Sequence, residues 1–292
     1  MIDIEFIRGN ASKGFYDGLN LMQDGDSENA EKLWYEIAKK GDSNAQFYLW
    51  YTAYNDSLIT TEEGFGIKTT VEEEFKEFLI SSASQGHSMA QNCLGSMYLD
   101  EEFSPEEKDQ SIKWFKLSAD QGHAYAPRNL GWMYDQGLGV TEDDSVAVSW
   151  YIKSAEQGDV DGQYNLGVMY SKGKGVAQDY KKALIYTSQS AEQGHPQAQY
   201  NLGLMYAHGQ GVPQDNKLAV SWYKKSADQG YSEAQYNLGM LYFHGEGVTQ
   251  DYKLALNWLR KAAEQVNSDA QNNLGWMYQY GHDIPQDNKL AV

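Results

Sequence analysis

The sequence predicts an all-α protein, a right-handed α-solenoid of antiparallel helix pairs with a 36-residue repeat. Three observations carry this. The dipeptide Leu-Gly recurs at Leu94-Gly95, Leu130-Gly131, Leu166-Gly167, Leu202-Gly203, Leu238-Gly239 and Leu274-Gly275, always 36 residues apart. Three residues after each glycine stands a tyrosine: Tyr98, Tyr134, Tyr170, Tyr206, Tyr242 and Tyr278. A second glycine column runs Gly86, Gly122, Gly158, Gly194 and Gly230, then fails at Val266. Eight residues before each of these positions lies a large aromatic, from Phe78 and Trp114 to Trp222 and Trp258. A fixed period of this length signals stacked units that cannot bury their apolar faces alone.

The first 86 residues read as two diverged acidic units. The segment NAEKLWYEIAKKGDSNAQFYL predicts helix, glycine, helix, with Ala30 and Leu33 in the alanine and tryptophan columns and Gly41 closing. From Ala45 to Ala90 the spacing is 45 residues, nine more than the period. The surplus falls in residues 55–75, read as a longer acidic loop before a helix carrying Phe75 and Phe78.

Residues 87–266 read as five regular units. In the unit from His195 to Gly230, Ala198, Leu202, Met205 and Tyr206 follow i, i+4, i+7, i+8, one face of a helix. Gly209 stands where a left-handed cap would end that helix. Gly211 allows a turn, and Asp215 occupies the N-cap of a second helix. There Ala219, Trp222, Tyr223, Ser226 and Ala227 form the apolar stripe. Gly203 and its equivalents lack a Cβ where the two helices would pass closely. Alanine there is expected to cost about 1–3 kcal/mol by overpacking. The unit near Met89 has Glu101, Phe103 and Ser104 where others read Gly, Gly, Val, so its loop is expected to follow another path. Residues 267–292 read as a partial terminal unit of one continuous array. The final DNKLAV repeats Asp215–Val220, and two expectations follow: the chain is a piece of a longer array with an edge open to end-to-end contact, or the helix near Ala270–Tyr280 itself serves as a cap.

Composition limits the function classes. The net charge is −18. Residues 1–110 hold 22 acidic and 8 basic side chains, a net −14. Nucleic-acid phosphate would be repelled. Such acidity serves solubility or offers a platform to a basic partner. The apolar runs are far too short to span a bilayer. The N-terminus shows no secretory pattern, and Cys93 is the single cysteine, so a cytoplasmic setting is expected.

No catalytic or cofactor constellation is visible. The repeated G-x-G-V follows a helix, whereas a dinucleotide fingerprint needs a strand before it. No metal is expected: His87, His123 and His195 share a column with Asp159, Tyr231 and Asn267, which reads as a solvent-facing helix start. Cys93 has no obvious base beside it.

The pattern A-x-x-x-L-G-x-x-Y-x-x-G-x-G-V-x-x-D-x-x-x-A-x-x-W-x-x-x-A-A-x-x-G resembles the Sel-like repeat, a relative of the tetratricopeptide repeat. The resemblance implies a first helix lining a concave face. On it, the positions two, six and nine after the column alanine form a variable stripe: Asn92-Ser96-Leu99, Arg128-Trp132-Asp135, Tyr164-Val168-Ser171, Tyr200-Leu204-Ala207, Tyr236-Met240-Phe243 and Asn272-Trp276-Gln279. Arg128, Trp132, Tyr164, Tyr200, Leu204, Tyr236, Met240, Phe243 and Trp276 are therefore candidate partner contacts, since such types anchor interfaces. The identical tyrosines also suit a ladder in which each touches the next. Beside them runs a column of Asn129, Asn165, Asn201, Asn237 and Asn273. In tetratricopeptide relatives such asparagines hold an extended peptide; the other reading is a bond to the neighbouring unit's loop. Only Arg128 matches the family's carboxylate-binding basic positions. The resulting expectation is a non-enzymatic scaffold that binds a protein or peptide. The alternative is an immunity or inhibitor protein meeting a basic toxin through its acidic surface.

Overall fold

The computed structural model describes residues 11–59, 73–99 and 105–280. They form fifteen α-helices and no strand among the described residues. The chain divides into two compact units, Met1–Glu142 and Asp143–Val292.

The first unit holds α1 (Lys13–Gln23), α2 (Ser27–Lys39), α3 (Ser43–Ile59), α4 (Glu73–Ser84), α5 (Ser88–Met97), α6 (Pro105–Asp120) and α7 (Tyr125–Gln136). The second holds α8 (Asp144–Glu156), α9 (Val160–Lys172), α10 (Tyr180–Glu192), α11 (Pro196–His208), α12 (Asn216–Asp228), α13 (Ser232–His244), α14 (Tyr252–Glu264) and α15 (Ser268–Tyr280).

Two expectations about the first unit change. Residues 55–59 continue α3 instead of opening a loop, and α4 begins at Glu73. Helix α1, which matches no repeat column, packs on α2 and supplies the first helix of a pair. Its Phe15 is fully buried against Trp34 and Tyr48. The altered loop read at Glu101–Ser104 and the terminal DNKLAV segment lie outside the described residues.

Within the regular pairs, local chemistry sets both ends. The Asp143, Asp179, Asp215 and Asp251 carboxylates each accept two backbone N–H bonds at 2.9–3.0 Å, capping α8, α10, α12 and α14. These bonds satisfy donors that a helix start leaves orphaned. The first helices end on left-handed glycines, as Gly209 does at φ 68°. Helix pairs close tightly at the Leu-Gly glycines. A Cβ on Gly203 would lie 2.6 Å from Tyr223 Cδ1. The facing residue, Tyr223, is 3% exposed.

Within the aromatic column Phe78 and Trp258 are buried, each 8% exposed, but other members are not. Trp222 is only half-buried, and the neighbour after it turns into the core. The same offset holds for half-buried Trp114 beside buried Phe115 and for Trp150 beside Tyr151. A side chain facing the glycine must fit the narrowest point of the pair, so the bulkier indole takes the edge. There the flexible lysine one turn on lies over it. Lys153, Lys225 and Lys261 place their ammonium groups 3.9, 3.8 and 4.3 Å from the ring centroids of Trp150, Trp222 and Trp258.

Polar columns tie the helices further. Ser118, Ser190 and Ser226 donate to the carbonyls of Ser88, Val160 and Pro196 at 2.7–2.9 Å. Gln199 donates to Ala191 O of the preceding pair at 3.1 Å and accepts from Gln229 at 2.8 Å. Gln235 and Gln265 repeat the relay one period on. Buried amides need such partners to be tolerated in a core.

The closing turn reveals what the lost glycine means. Val266 adopts φ 64°, the left-handed region, with a β-branched side chain 80% exposed. That conformation costs about 1–2 kcal/mol for an L residue, and here no packing offsets it. Val266→Gly should therefore stabilise the second unit by about 1 kcal/mol, read as a higher urea midpoint at unchanged m-value.

Two histidines of the column prove to be N-caps rather than solvent-facing, whereas His123 is buried and Ala124 takes the cap position beside it. His87 Nδ1 accepts from Ala90 N and His195 Nδ1 from Ala198 N, both at 3.2 Å. Asp159 and Asn267 cap in the same column. Burial, then the nearby His123, holds the His87 pKa down at about 4, from an ordinary 6.5. Burial also lowers His123 to about 4. Both imidazoles are neutral in the folded state, while the unfolded chain takes up protons near pH 6.5. Stability is thus fully present above that pH and falls as the pH drops toward 4. His87→Asn, which keeps a capping acceptor, should flatten this dependence; thermal midpoints of both proteins between pH 7 and 4 measure it.

Candidate partner-binding surface

The candidate residues lie on first helices, and each unit presents its own set. In the second unit the tyrosine and asparagine columns turn out to be one structure. Asn237 Nδ2 donates to Tyr200 OH and Asn273 Nδ2 to Tyr236 OH, both at 3.2 Å. Asn201 pairs with Tyr164 in the same way. Asn201, Asn237 and Asn273 each clamp the tyrosine of the preceding pair. The tyrosine rings reach the next pair's N-cap: Tyr164 stacks on His195 at 4.6 Å, and Tyr200 lies 5.3 Å from Tyr231. Burial raises the pKa of the Tyr164 and Tyr200 hydroxyls, so they remain donors at neutral pH. In the first unit Asn92 replaces the tyrosine, and Asn129 donates to it at 3.1 Å. Asn165 is half-buried within the same column.

With the polar column engaged internally, the apolar positions stand out. Trp132 and Trp276 occupy the same repeat position on α7 and α15 and are each 44% exposed. Val168, Leu204 and Met240 hold that position between them and are half-buried. Beside Trp132, the Arg128 guanidinium lies over the Tyr125 ring at 5.3 Å. Beside Trp276, Phe243 packs edge-on at 5.8 Å and Tyr280 at 5.0 Å. Met240, Phe243, Asn273 and Trp276 surround a crevice of only about 20 Å³, so the aromatic group forms a filled surface rather than a pocket.

Burial pushes the Cys93 thiol up to about 12, which keeps it protonated and a poor nucleophile. Among the described residues no group of three His, Cys, Asp or Glu side chains is placed to hold a metal ion. Among them, too, no helix is long and apolar enough to cross a membrane.

Stacked helix pairs with a 36-residue period, glycine-closed and aspartate-capped, define a helical repeat protein whose variable residues sit on the first helices. The chain belongs to the Sel1 repeat family: the family model matches residues 88–123, 124–159, 160–195, 196–231, 232–267 and 268–292. Solved structures agree. A Sel1 repeat protein from Oxalobacter formigenes is 33% identical, with a TM-score of 0.72 over 97% of this chain and 81% of that one. The structure of c5321, a protective antigen of uropathogenic Escherichia coli with an SLR fold, is 33% identical, with a TM-score of 0.80 over 89% of this chain. This chain spans 54% of that protein's length. An immunity protein from Pseudomonas aeruginosa, 22% identical over 70% of this chain and 75% of that one, reaches a TM-score of only 0.43 and carries no functional argument. Among curated proteins none matches. Proteins of the Sel1 repeat family are generally non-enzymatic scaffolds that bind protein partners.

Proposed function

We propose that this chain is a non-enzymatic adaptor that holds a protein or peptide partner on the variable first-helix positions. The observation that carries the reading is the pair of exposed indoles, Trp132 and Trp276, at one repeat position. Half-buried aliphatics fill that position elsewhere, whereas the two indoles keep a large exposed face, Trp276 while also packing on Phe243 and Tyr280. Indoles of this kind are typical anchors of protein interfaces. The tyrosines and asparagines beside them stiffen the helices and so lower the ordering cost of binding.

The test is partner recovery by wild type and by a Trp132→Ala/Met240→Ala/Trp276→Ala variant at matched concentrations. The reading predicts loss of the partner with the variant. Equal recovery from both removes the first-helix face from consideration. A partner held by the acidic first third would survive the substitutions and dissociate as salt is raised.

A further inference from the structure

The second unit sorts its cations by helix. Its second helices carry one Lys or Arg on α8, two on α10 and three each on α12 and α14, against Lys172 alone on the first helices. Helices α11, α13 and α15 have no Lys or Arg. Carboxylates are not excluded in the same way. Glu233 on α13 and Asp269 on α15 occupy one repeat position, and both are exposed. Neither makes an ion pair among the described residues. Asp161 holds that position on α9, but it is spent on His195 Nε2 at 3.2 Å.

These two carboxylates extend the candidate partner stripe by one turn. From Glu233, Tyr236, Met240 and Phe243 follow at i+3, i+7 and i+10, one side of a helix. Trp276 stands at i+7 from Asp269. The contact of Phe243 with Trp276 at 5.8 Å joins the two stripes. Burial raises the Tyr200 and Tyr231 hydroxyls, and the Glu233 charge adds to both, so Glu233 lies close to the tyrosines at this face. Its Oε2 accepts only a neutral donor there, the Ser232 hydroxyl at 3.1 Å. The histidines of α11 and α13, His208 and His244, stand at the opposite ends, about 16 Å along the axis from the carboxylate row. The stripe is therefore apolar and aromatic in the middle and anionic at one end, with no cation to balance it.

Building on the first-helix reading of function, we propose that the partner segment held by α13 and α15 is a basic, extended peptide. Its arginine or lysine pairs with Glu233 or Asp269, and an apolar side chain packs on Met240, Phe243 and Trp276. The seven residues from Asp269 to Trp276 span about 10 Å of helix, which an extended chain covers in about three residues. The recognised pattern is thus a cation and an apolar residue three positions apart.

The experiment uses the full chain and a fluorescein-labelled peptide, Arg-Ser-Gly-Leu-Arg-Ser-Gly-Leu, followed by anisotropy at about 0.15 M salt. A second peptide replaces arginine with uncharged citrulline. The wild type should bind the first peptide and not the second. Glu233→Gln/Asp269→Asn should weaken binding roughly tenfold. Glu192→Gln/Glu264→Gln removes the same charge from exposed positions on the second helices and should leave affinity unchanged. Unchanged thermal midpoints confirm that both variants fold. No binding by wild type, binding of both peptides alike, or equal affinity of the two double variants would each overturn the proposal. The first-helix reading has its own outcome. A natural partner lost with the Trp132/Met240/Trp276 alanine variant but retained in full by Glu233→Gln/Asp269→Asn would keep that reading and overturn the basic segment.

Discussion

Gly211→Ala should destabilise the second unit by about 3 kcal/mol or more, whereas Gly230→Ala should cost only about 1 kcal/mol. Both glycines are left-handed, at φ 72° and 93°. A Cβ on Gly230 would meet nothing within 4 Å. On Gly211 it would overlap the backbone carbonyl of Tyr180, in the preceding pair. That carbonyl cannot retreat easily, because Tyr180 opens α10 and the turn is pinned by Asp179. Backbone strain of about 1–2 kcal/mol is common to both substitutions; the overpacking of about 1–3 kcal/mol belongs to Gly211 alone. Urea midpoints of the two variants measure the difference. Equal losses would mean that neighbouring pairs are not in contact at this turn.

Trp34→Ala should cost about 4 kcal/mol and open the Lys13–Ile59 helices before the second unit unfolds. Trp34 is fully buried, and its Nε1 donates to Phe15 O at 3.1 Å. Its ring packs 4.2 Å from Tyr48 and 5.6 Å from Phe15. No other side chain in this small pair has comparable volume, so the cavity would be large and poorly refilled. Stacked repeats share stability mainly with neighbours, so the loss should stay local. Hydrogen exchange should rise through Lys13–Ile59 while α11 to α14 remain protected. Uniform loss of protection would indicate a single cooperative unit.

The repeat architecture was legible because its signals are local and periodic. Asp215 as a cap, Gly209 as a stop and Leu202 as core each follow from spacing within one helix, and all three hold. The role of Gly203 as a close-approach point also followed from its missing Cβ. Other features depend on how helices rotate against one another. A stripe cannot decide between Trp222 and Tyr223; only the narrow contact at Gly203 does. The serine and glutamine columns recur at period 36, and Ser226 stands in the apolar stripe, but spacing within one helix does not name their partners. Their partners are carbonyls and amides about 30 residues away, such as Pro196 O for Ser226. The histidine column misled, because its variety suggested tolerance when His87, Asp159, His195 and Asn267 share one function, a capping acceptor. The asparagine and tyrosine columns were each recognised, but their offset of 37 residues, from Tyr200 to Asn237, hid that they bond each other.

The central claim is that a partner meets the first helices at Trp132 and Trp276. The most direct measurement is photo-cross-linking from a photoreactive aromatic residue placed singly at 132, 276, 218 or 254, in lysate of the organism that carries the chain. Leu218 and Leu254 are comparably exposed, 42% and 40%, but lie on second helices. The account predicts one partner cross-linked from 132 and 276 and absent from 218 and 254. A partner captured only from the second-helix positions would contradict it.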